Sequence, residues 1–253
     1  YIWCALELKR YFDIDEPLSE ENADEIYQKT RSMIRKEHMT RRWCMEKSRV
    51  ELVSTTEDPT DTLEYHFLML KALELRLQYF RQVETTVSDD GIPYLYWEDF
   101  TMDEIEAIWQ KAMRGESLTS KEENQYISAF LFHMGQLYYD HGFVMQLHIG
   151  TYLDCNRKGV AEVGQSCGFD CTDDSTSILS VGELLNRLTE IGKLPKTILY
   201  PLDAAKQENF AILAAGFCEG GTRAKVQLGA PWWFNDHVYG LERQFQAVAN
   251  LYP

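Results

Sequence analysis

The chain has 253 residues, 45% of them apolar and 26% charged, which excludes a peptide scaffold or a disordered tail and fits a folded, soluble domain with a sizeable core. Forty acidic residues against 25 basic ones leave a net charge of -15, which argues against nucleic acid or an anionic membrane as partner. The longest apolar runs, such as 210–217, fall far short of the ~20 residues that a bilayer span needs.

Ser19 opens the first helical reading, with Ala23, Ile26, Tyr27, Met33 and Ile34 on one face, and Thr40 opens a short second helix. Residues 50–55 are β-branched and apolar and predict a strand, broken at Glu57-Asp58-Pro59 because proline and its predecessor favour turn or extended backbone. Thr101 and Glu104 form a capping box ahead of Ile105, Ile108, Trp109, Ala112 and Met113, and Gly115 closes that helix. Thr119 and Glu122 repeat the signal, turning Ile127, Phe130, Leu131, Met134, Leu137 and Tyr138 inward until Gly142. A strand over 143–149 follows. Ser180 and Glu183 read as a third box before Leu184, Leu185, Leu188 and Ile191, with Gly192 and Pro195 beyond. Strands over 196–202 and 224–228 then alternate with helices over 207–217 and 239–249. Such alternation implies an α/β fold with parallel strands, whose ligands bind where the strand C-termini meet the following loops.

Those strand ends carry the candidate site. His148 alternates with Gln146 in Val144-Met145-Gln146-Leu147-His148, so both polar side chains face one way, which in a parallel barrel is the lumen. His148 is then either a ligand to substrate or metal, or a histidine hydrogen-bonded inside the core. Trp232 and Trp233 follow a Gly-Ala-Pro turn and would either wall a sugar site, with faces for C–H groups and an indole N–H to donate, or close the top of the barrel. Asp58 would serve as a general base or as a turn acceptor before Pro59. The six cysteines, at 4, 44, 155, 167, 171 and 218, are too dilute for a disulfide scaffold, match no zinc-ribbon spacing and point to a reducing compartment, the cytoplasm. By spacing alone there is no nucleophile triad, no phosphate loop and no His-x-His metal motif.

Four separated stretches carry a resemblance: 53–66 (Val-Ser-Thr-Thr-Glu-Asp-Pro-Thr-Asp-Thr-Leu-Glu-Tyr-His), Gln146-Leu147-His148-Ile149-Gly150, Leu194-Pro195-Lys196-Thr197-Ile198-Leu199-Tyr200, and Trp232-Trp233-Phe234-Asn235-Asp236. In this order, together with Glu7-Leu8-Lys9-Arg10-Tyr11-Phe12 ahead of them, Gly168-Phe169-Asp170 between and Glu242-Arg243-Gln244 after, they resemble uronate isomerase, also called glucuronate isomerase, of the amidohydrolase superfamily. The resemblance implies a (β/α)8 barrel, read here as one incomplete domain over residues 1–253 with helical insertions. It also implies interconversion of D-glucuronate with D-fructuronate and of D-galacturonate with D-tagaturonate, a small-molecule hexuronate as partner, and a divalent metal, zinc, as cofactor. A homo-oligomer is the default expectation. The resemblance puts the acid/base work on the family's last-strand Asp and a metal-bound water; within the present residues, His148 and Asp58 are the catalytic candidates, and Trp232, Trp233 and Asn235 the substrate contacts.

The same resemblance exposes departures. The family's metal site takes a His-x-His pair from its first strand and an Asp from its last, and neither segment occurs in these residues. The junctions Leu6–Glu7 and His66–Phe67 are abridged, leaving counterparts of five strands and none of the first, third and eighth. Leu153 and Asp90 stand where the family has an arginine and a histidine. The alternatives are a catalytically incompetent barrel fragment and a metal-dependent hydrolase of the same superfamily.

Overall fold

Helix and strand periods in the sequence become a helical segment and an α/β segment, two compact units over 1–53 and 54–253. The computed structural model describes residues 2–48, 66–222, 224–231 and 233–250; the expected strand at 50–55 and Asp58 lie outside them.

In the first unit, α1 (Ile2–Phe12), α2 (Ala23–Lys36) and α3 (Arg41–Lys47) follow one another. Thr40 caps α3 as expected, accepting from the Trp43 backbone N–H. Helix α2 starts later than Ser19, because the Ser19 N–H donates to Asn22 Oδ1 at 2.8 Å and the Asn22 amide donates to Pro17 O, a local turn that competes with helix. Of the face expected to turn inward, Ile26 is buried whereas Tyr27 and Ile34 are exposed.

The second unit opens with α4 (His66–Gln82) and then β1 (Asp90–Ile92). α5 (Met102–Met113) and α6 (Ser120–His141) both begin with complete capping boxes, Thr101 with Glu104 and Thr119 with Glu122, and Gly142 ends α6 in the left-handed conformation. After them come β2 (Met145–Ile149), an excursion made of β3 (Thr151–Tyr152), α7 (Arg157–Val163) and β4 (Cys171–Thr172), and then α8 (Ile178–Glu190). The third capping box does not form. α8 starts at Ser177, whose hydroxyl accepts from the Leu179 N–H, while Ser180 Oγ accepts from the Trp97 N–H and Glu183 pairs with Arg187. Ser180 is thus drawn away from the helix by a chain segment distant in sequence. Strand β5 (Thr197–Pro201), a 3-10 turn at Ala204–Lys206, α9 (Gln207–Gly216), β6 (Val226–Leu228), a second 3-10 turn at Trp233–Asn235 and α10 (Val238–Ala249) complete the unit.

The four longer-range strands pair in the order β1-β2-β5-β6, every pairing parallel. Between each pair the chain returns through helices that cover one face, the βαβ arrangement of a barrel wall. That covered face is the main core: Met145, Leu147 and Ile149 from β2 and Leu199 from β5 pack against Leu184, Leu185 and Leu188 of α8, Met134 and Tyr138 of α6, and Met69 and Leu73 of α4. Each fully buried leucine contributes about 1.5–3 kcal/mol of transfer free energy. Among the buried polar side chains, His66 is ringed by Trp109, Tyr126 and His133, with neither ring nitrogen partnered among the described residues. Burial, then the repulsion of His133, holds its pKa below the ordinary value, against a weaker pull from Glu106.

Candidate functional site

The alternation along β2 separates two environments. Met145, Leu147 and Ile149 are buried under the helices, whereas Gln146 and His148 point to the opposite face and stay half-buried. Parallel register sets Gly91 of β1, His148 of β2 and Tyr200 of β5 level with one another, and Gly229 follows Leu228, the partner of Leu199. This level is at the C-terminal ends of the strands, where α/β barrels build their sites.

His148 is held from two sides there. Asp89, one residue before β1, shares the parity of Gly91, and its Oδ1 accepts a 2.6 Å hydrogen bond from His148 Nδ1. An ionised carboxylate only accepts, so Nδ1 carries the proton, and in the neutral form of the ring Nε2 keeps its lone pair. The two side chains are 23% and 32% exposed, covered enough to strengthen the pair over a surface one yet open to a ligand. Tyr200 lies flat on the imidazole, with ring centroids 4.1 Å apart and planes 11° apart. Burial, and secondarily the charge of Asp89, pushes the Tyr200 hydroxyl above its ordinary pKa, keeping it a neutral phenol. Gly229 is required by this packing, since a Cβ built there would overlap the Tyr200 ring.

Loops after the strands are fastened around that level. Gly150 leaves β2 at φ +97°, and its carbonyl accepts from the Asp173 N–H at 2.8 Å. A Cβ at 150 would stand 2.7 Å from Asp173 O, so the bend needs glycine for conformation and for space. Lys206 donates to the carbonyls of Asp174 and Thr176, tying the turn after β5 to the loop before α8. Gln244 of α10 donates to Gly229 O.

Of the residues expected from sequence, His148 stands at the centre of this arrangement. Asn235 lies at its edge, its amide donating to Leu202 O at 3.3 Å, a brace between the turn Trp233–Asn235 and the end of β5. The backbone of Trp233 belongs to that turn, while Trp232, like Asp58, lies outside the described residues. Sequence reasoning leaves out Asp89 and Tyr200. Both share the parity of His148 on neighbouring strands, a signal that becomes readable only when the register is known. Asp90, the departure from the family's histidine, falls on the other side of β1: its carboxylate accepts from Tyr138 of α6 at 3.0 Å and from Ser88 at 3.3 Å. Burial pushes that carboxyl up to about 6, against the hydrogen bonds of Tyr138 and Ser88 and with a small push from Asp89. Leu153, the other departure, is exposed beyond β3.

The family described as glucuronate isomerase matches residues 1–71 and 67–252. The chain belongs to that family. The uronate isomerase of Clostridium perfringens is 31% identical over 299 aligned positions covering 99% of this chain and 64% of that protein, and that of Shouchella clausii is 33% identical over 298 positions covering 99% and 63%. Because 299 positions face a chain of 253 residues, the Clostridium perfringens relative carries internal stretches that this glucuronate isomerase family member lacks. The two family matches meet at 67–71, next to the abridged junction His66–Phe67. The crystal structure of uronate isomerase from Thermotoga maritima superposes with a TM-score of 0.79 at 26% identity, over 99% of this chain and 64% of that one. Glucuronate isomerase from Caulobacter crescentus gives 0.81 at 22% identity, a likeness of fold, over 99% and 60%. The four parallel strands and their covering helices are therefore part of a (β/α)8-type barrel of the amidohydrolase kind, and the chain spans less than two thirds of the length of these relatives.

The metal implied by the family resemblance does not fit the described residues. His148 uses Nδ1 on Asp89, and no group of three His, Cys, Asp or Glu that could hold an ion occurs among the described residues. One free imidazole nitrogen is too little for a divalent site. No helix of the described residues is long and apolar enough to cross a membrane.

Proposed function

We propose that this barrel is a hexuronate isomerase, interconverting D-glucuronate with D-fructuronate and D-galacturonate with D-tagaturonate, in which His148 is the substrate-facing base. The observation that carries the reading is the Asp89–His148 pair at the strand C-termini, with Nε2 unpartnered among the described residues. Aldose–ketose isomerisation removes the proton from C2, passes through a cis-enediol and delivers a proton to C1, while a second proton moves from O2 to O1, so that the C2 hydroxyl becomes the carbonyl and the C1 aldehyde becomes a hydroxyl. Nε2 of His148 accepts the C2 proton and returns it to C1. Asp89 holds the tautomer and stabilises the imidazolium formed between the two transfers. Trp232 and Trp233 would flank the sugar ring, and Asp58 and Asn235 would complete the polar lining. The zinc implied by the family resemblance has no three-donor cluster on the described residues, and no step here runs through it.

Residence in the cytoplasm belongs to the same reading, supported by free and mostly exposed cysteines, which suit a reducing compartment. Self-association is its default for an enzyme of this size. A second reading, a barrel that binds hexuronates without turning them over, is favoured by the stretches present in the Clostridium perfringens relative and lacking here.

The test is proton NMR of the full chain with D-glucuronate in deuterated buffer, repeated with D-galacturonate and with divalent zinc supplied. Loss of the C2 proton signal together with growth of the ketose supports isomerisation. A folded protein that exchanges no C2 proton and forms no ketose overturns it, and saturable line broadening of the sugar in that case supports the binding reading.

A further inference from the structure

Among the described residues, His148 has two side-chain partners, Asp89 just before β1 and Tyr200 on β5, but only one of them makes a polar contact. Asp89 decides which nitrogen carries the proton, yet a single hydrogen bond along the Nδ1–H axis leaves the imidazole free to rock about it. The Tyr200 ring removes that freedom, lying parallel to the imidazole at 4.1 Å from the adjacent, register-paired position. Gly229 in turn gives the Tyr200 ring its space, because any larger residue there would overlap it. Gly91, level with His148 on the other side, presents no side chain, so among the described residues the ring is pressed from the Tyr200 flank.

We infer that Tyr200 is a positioning residue for His148: its aromatic face, seated in the space left by Gly229, fixes the plane of the imidazole so that Nε2 points at the substrate in one direction. This rests on the reading of His148 as the substrate-facing base, and it assigns the work to the ring of Tyr200 and not to its hydroxyl. A stacking partner acts on orientation, so its loss slows the proton transfer more than it weakens substrate binding.

The experiment has two arms on the full chain. In the first, the side-chain signals of His148 are identified by their disappearance in His148→Gln, and their ring protons are read in the unmutated protein. They are expected upfield of the other histidines by the ring current of Tyr200, with Nδ1 protonated. Tyr200→Leu is expected to abolish the upfield displacement, and Tyr200→Phe to restore it. In the second arm, Tyr200→Leu is expected to lower kcat at least tenfold with KM changed by less than threefold, and Tyr200→Phe to recover most of the loss. Gly229→Ala is expected to mimic Tyr200→Leu and to add nothing to it in the double variant. Unshifted His148 signals in the unmutated protein overturn the inference even if Tyr200→Leu fails to fold. So does a Tyr200→Phe variant as impaired as Tyr200→Leu, since the hydroxyl would then be the working part. If the upfield signals are present but the unmutated protein forms no ketose, the stacking stands and the isomerase reading falls.

Discussion

Asp89 and Asp90 are chain neighbours with identical side chains, yet they leave β1 on opposite faces of the sheet. Asp89 meets an imidazole at the open face, where its charge is matched by a donor and partly hydrated. Asp90 meets the helix layer, where two hydroxyls serve it but burial dominates, and its carboxyl is pushed up to about 6. The comparison teaches that the two faces of this short parallel sheet are different solvents. One side selects polar groups that can act, and the other tolerates polar groups only at an energetic penalty.

Substitutions can break that comparison, and the largest expected effect is on the open face. His148→Asn should lower kcat/KM by about 10²–10⁴-fold, the range for losing a general base, while the melting temperature changes little; steady-state kinetics and calorimetry on one preparation check both. Asp89→Asn should fall short of that, by roughly 10–100-fold, because it removes the group that orients and stabilises the ring and not the ring itself. If Asp89→Asn left the rate untouched while Asp90→Asn abolished it, the assignment of the two faces would be reversed.

On the helix face the expected effects are on stability. His66→Phe keeps the aromatic packing with Trp109 and Tyr126 and removes two nitrogens that have no partner among the described residues. It should stabilise the fold by ~1–2 kcal/mol and more so at low pH. The sign follows from the depressed native pKa: the unfolded chain takes up a proton near 6.5 whereas native His66 resists it, so the wild type loses stability as pH falls below that value and the variant does not. Denaturant titrations at pH 5.5 and 7.5 would show the difference narrowing in the wrong direction if the ring were hydrogen-bonded.

Asp90 has the opposite pH signature. Its native carboxyl holds a proton up to about 6, against 3.8 for the ordinary group, so between these values the native state binds more protons than the unfolded chain. Stability therefore falls as pH rises from about 4 to about 6, and the loss is complete above that. Asp90→Asn keeps an acceptor for Tyr138 and should raise stability above pH 6 by ~1 kcal/mol, a figure discounted because the residue is half-buried. A stability profile unchanged by the substitution between pH 4 and 6 would remove Asp90 as its cause. Of similar or smaller size is Thr119→Ala, which deletes the cap of α6 and should cost about 1 kcal/mol in denaturant unfolding with no change in any sugar assay.

How much of this was legible in the sequence varies with the range of the interaction. The boxes at Thr101 and Thr119 and the stop at Gly142 formed as read, since a cap is a contact between residues three apart. The box at Ser180 did not form, because the Trp97 N–H reached its hydroxyl from more than eighty residues away and another serine, Ser177, took the cap. The strand Asp90–Ile92 was too short for its alternation to show among the polar residues around it. Within the candidate site, His148 could be found by parity along one strand, and Asn235 by its neighbourhood, but Asp89 and Tyr200 could not. Their part in the site depends on which residues of other strands stand level with His148.

The sequence by itself determined the longer elements of the second half, helices α5, α6, α8, α9 and α10 and strands β2, β5 and β6, together with the parallel α/β class and the face of β2 on which His148 lies, because these follow from local sterics and from a period of two along one extended chain. The resemblance of its separated motifs also determined the family. Only the tertiary structure decided that Asp89 and not Asp90 orients the imidazole, that Tyr200 covers one of its faces, and that Gly229 makes the room. Register between strands distant in the chain is set by the packing of the whole core, and a shift of one residue would exchange the two faces.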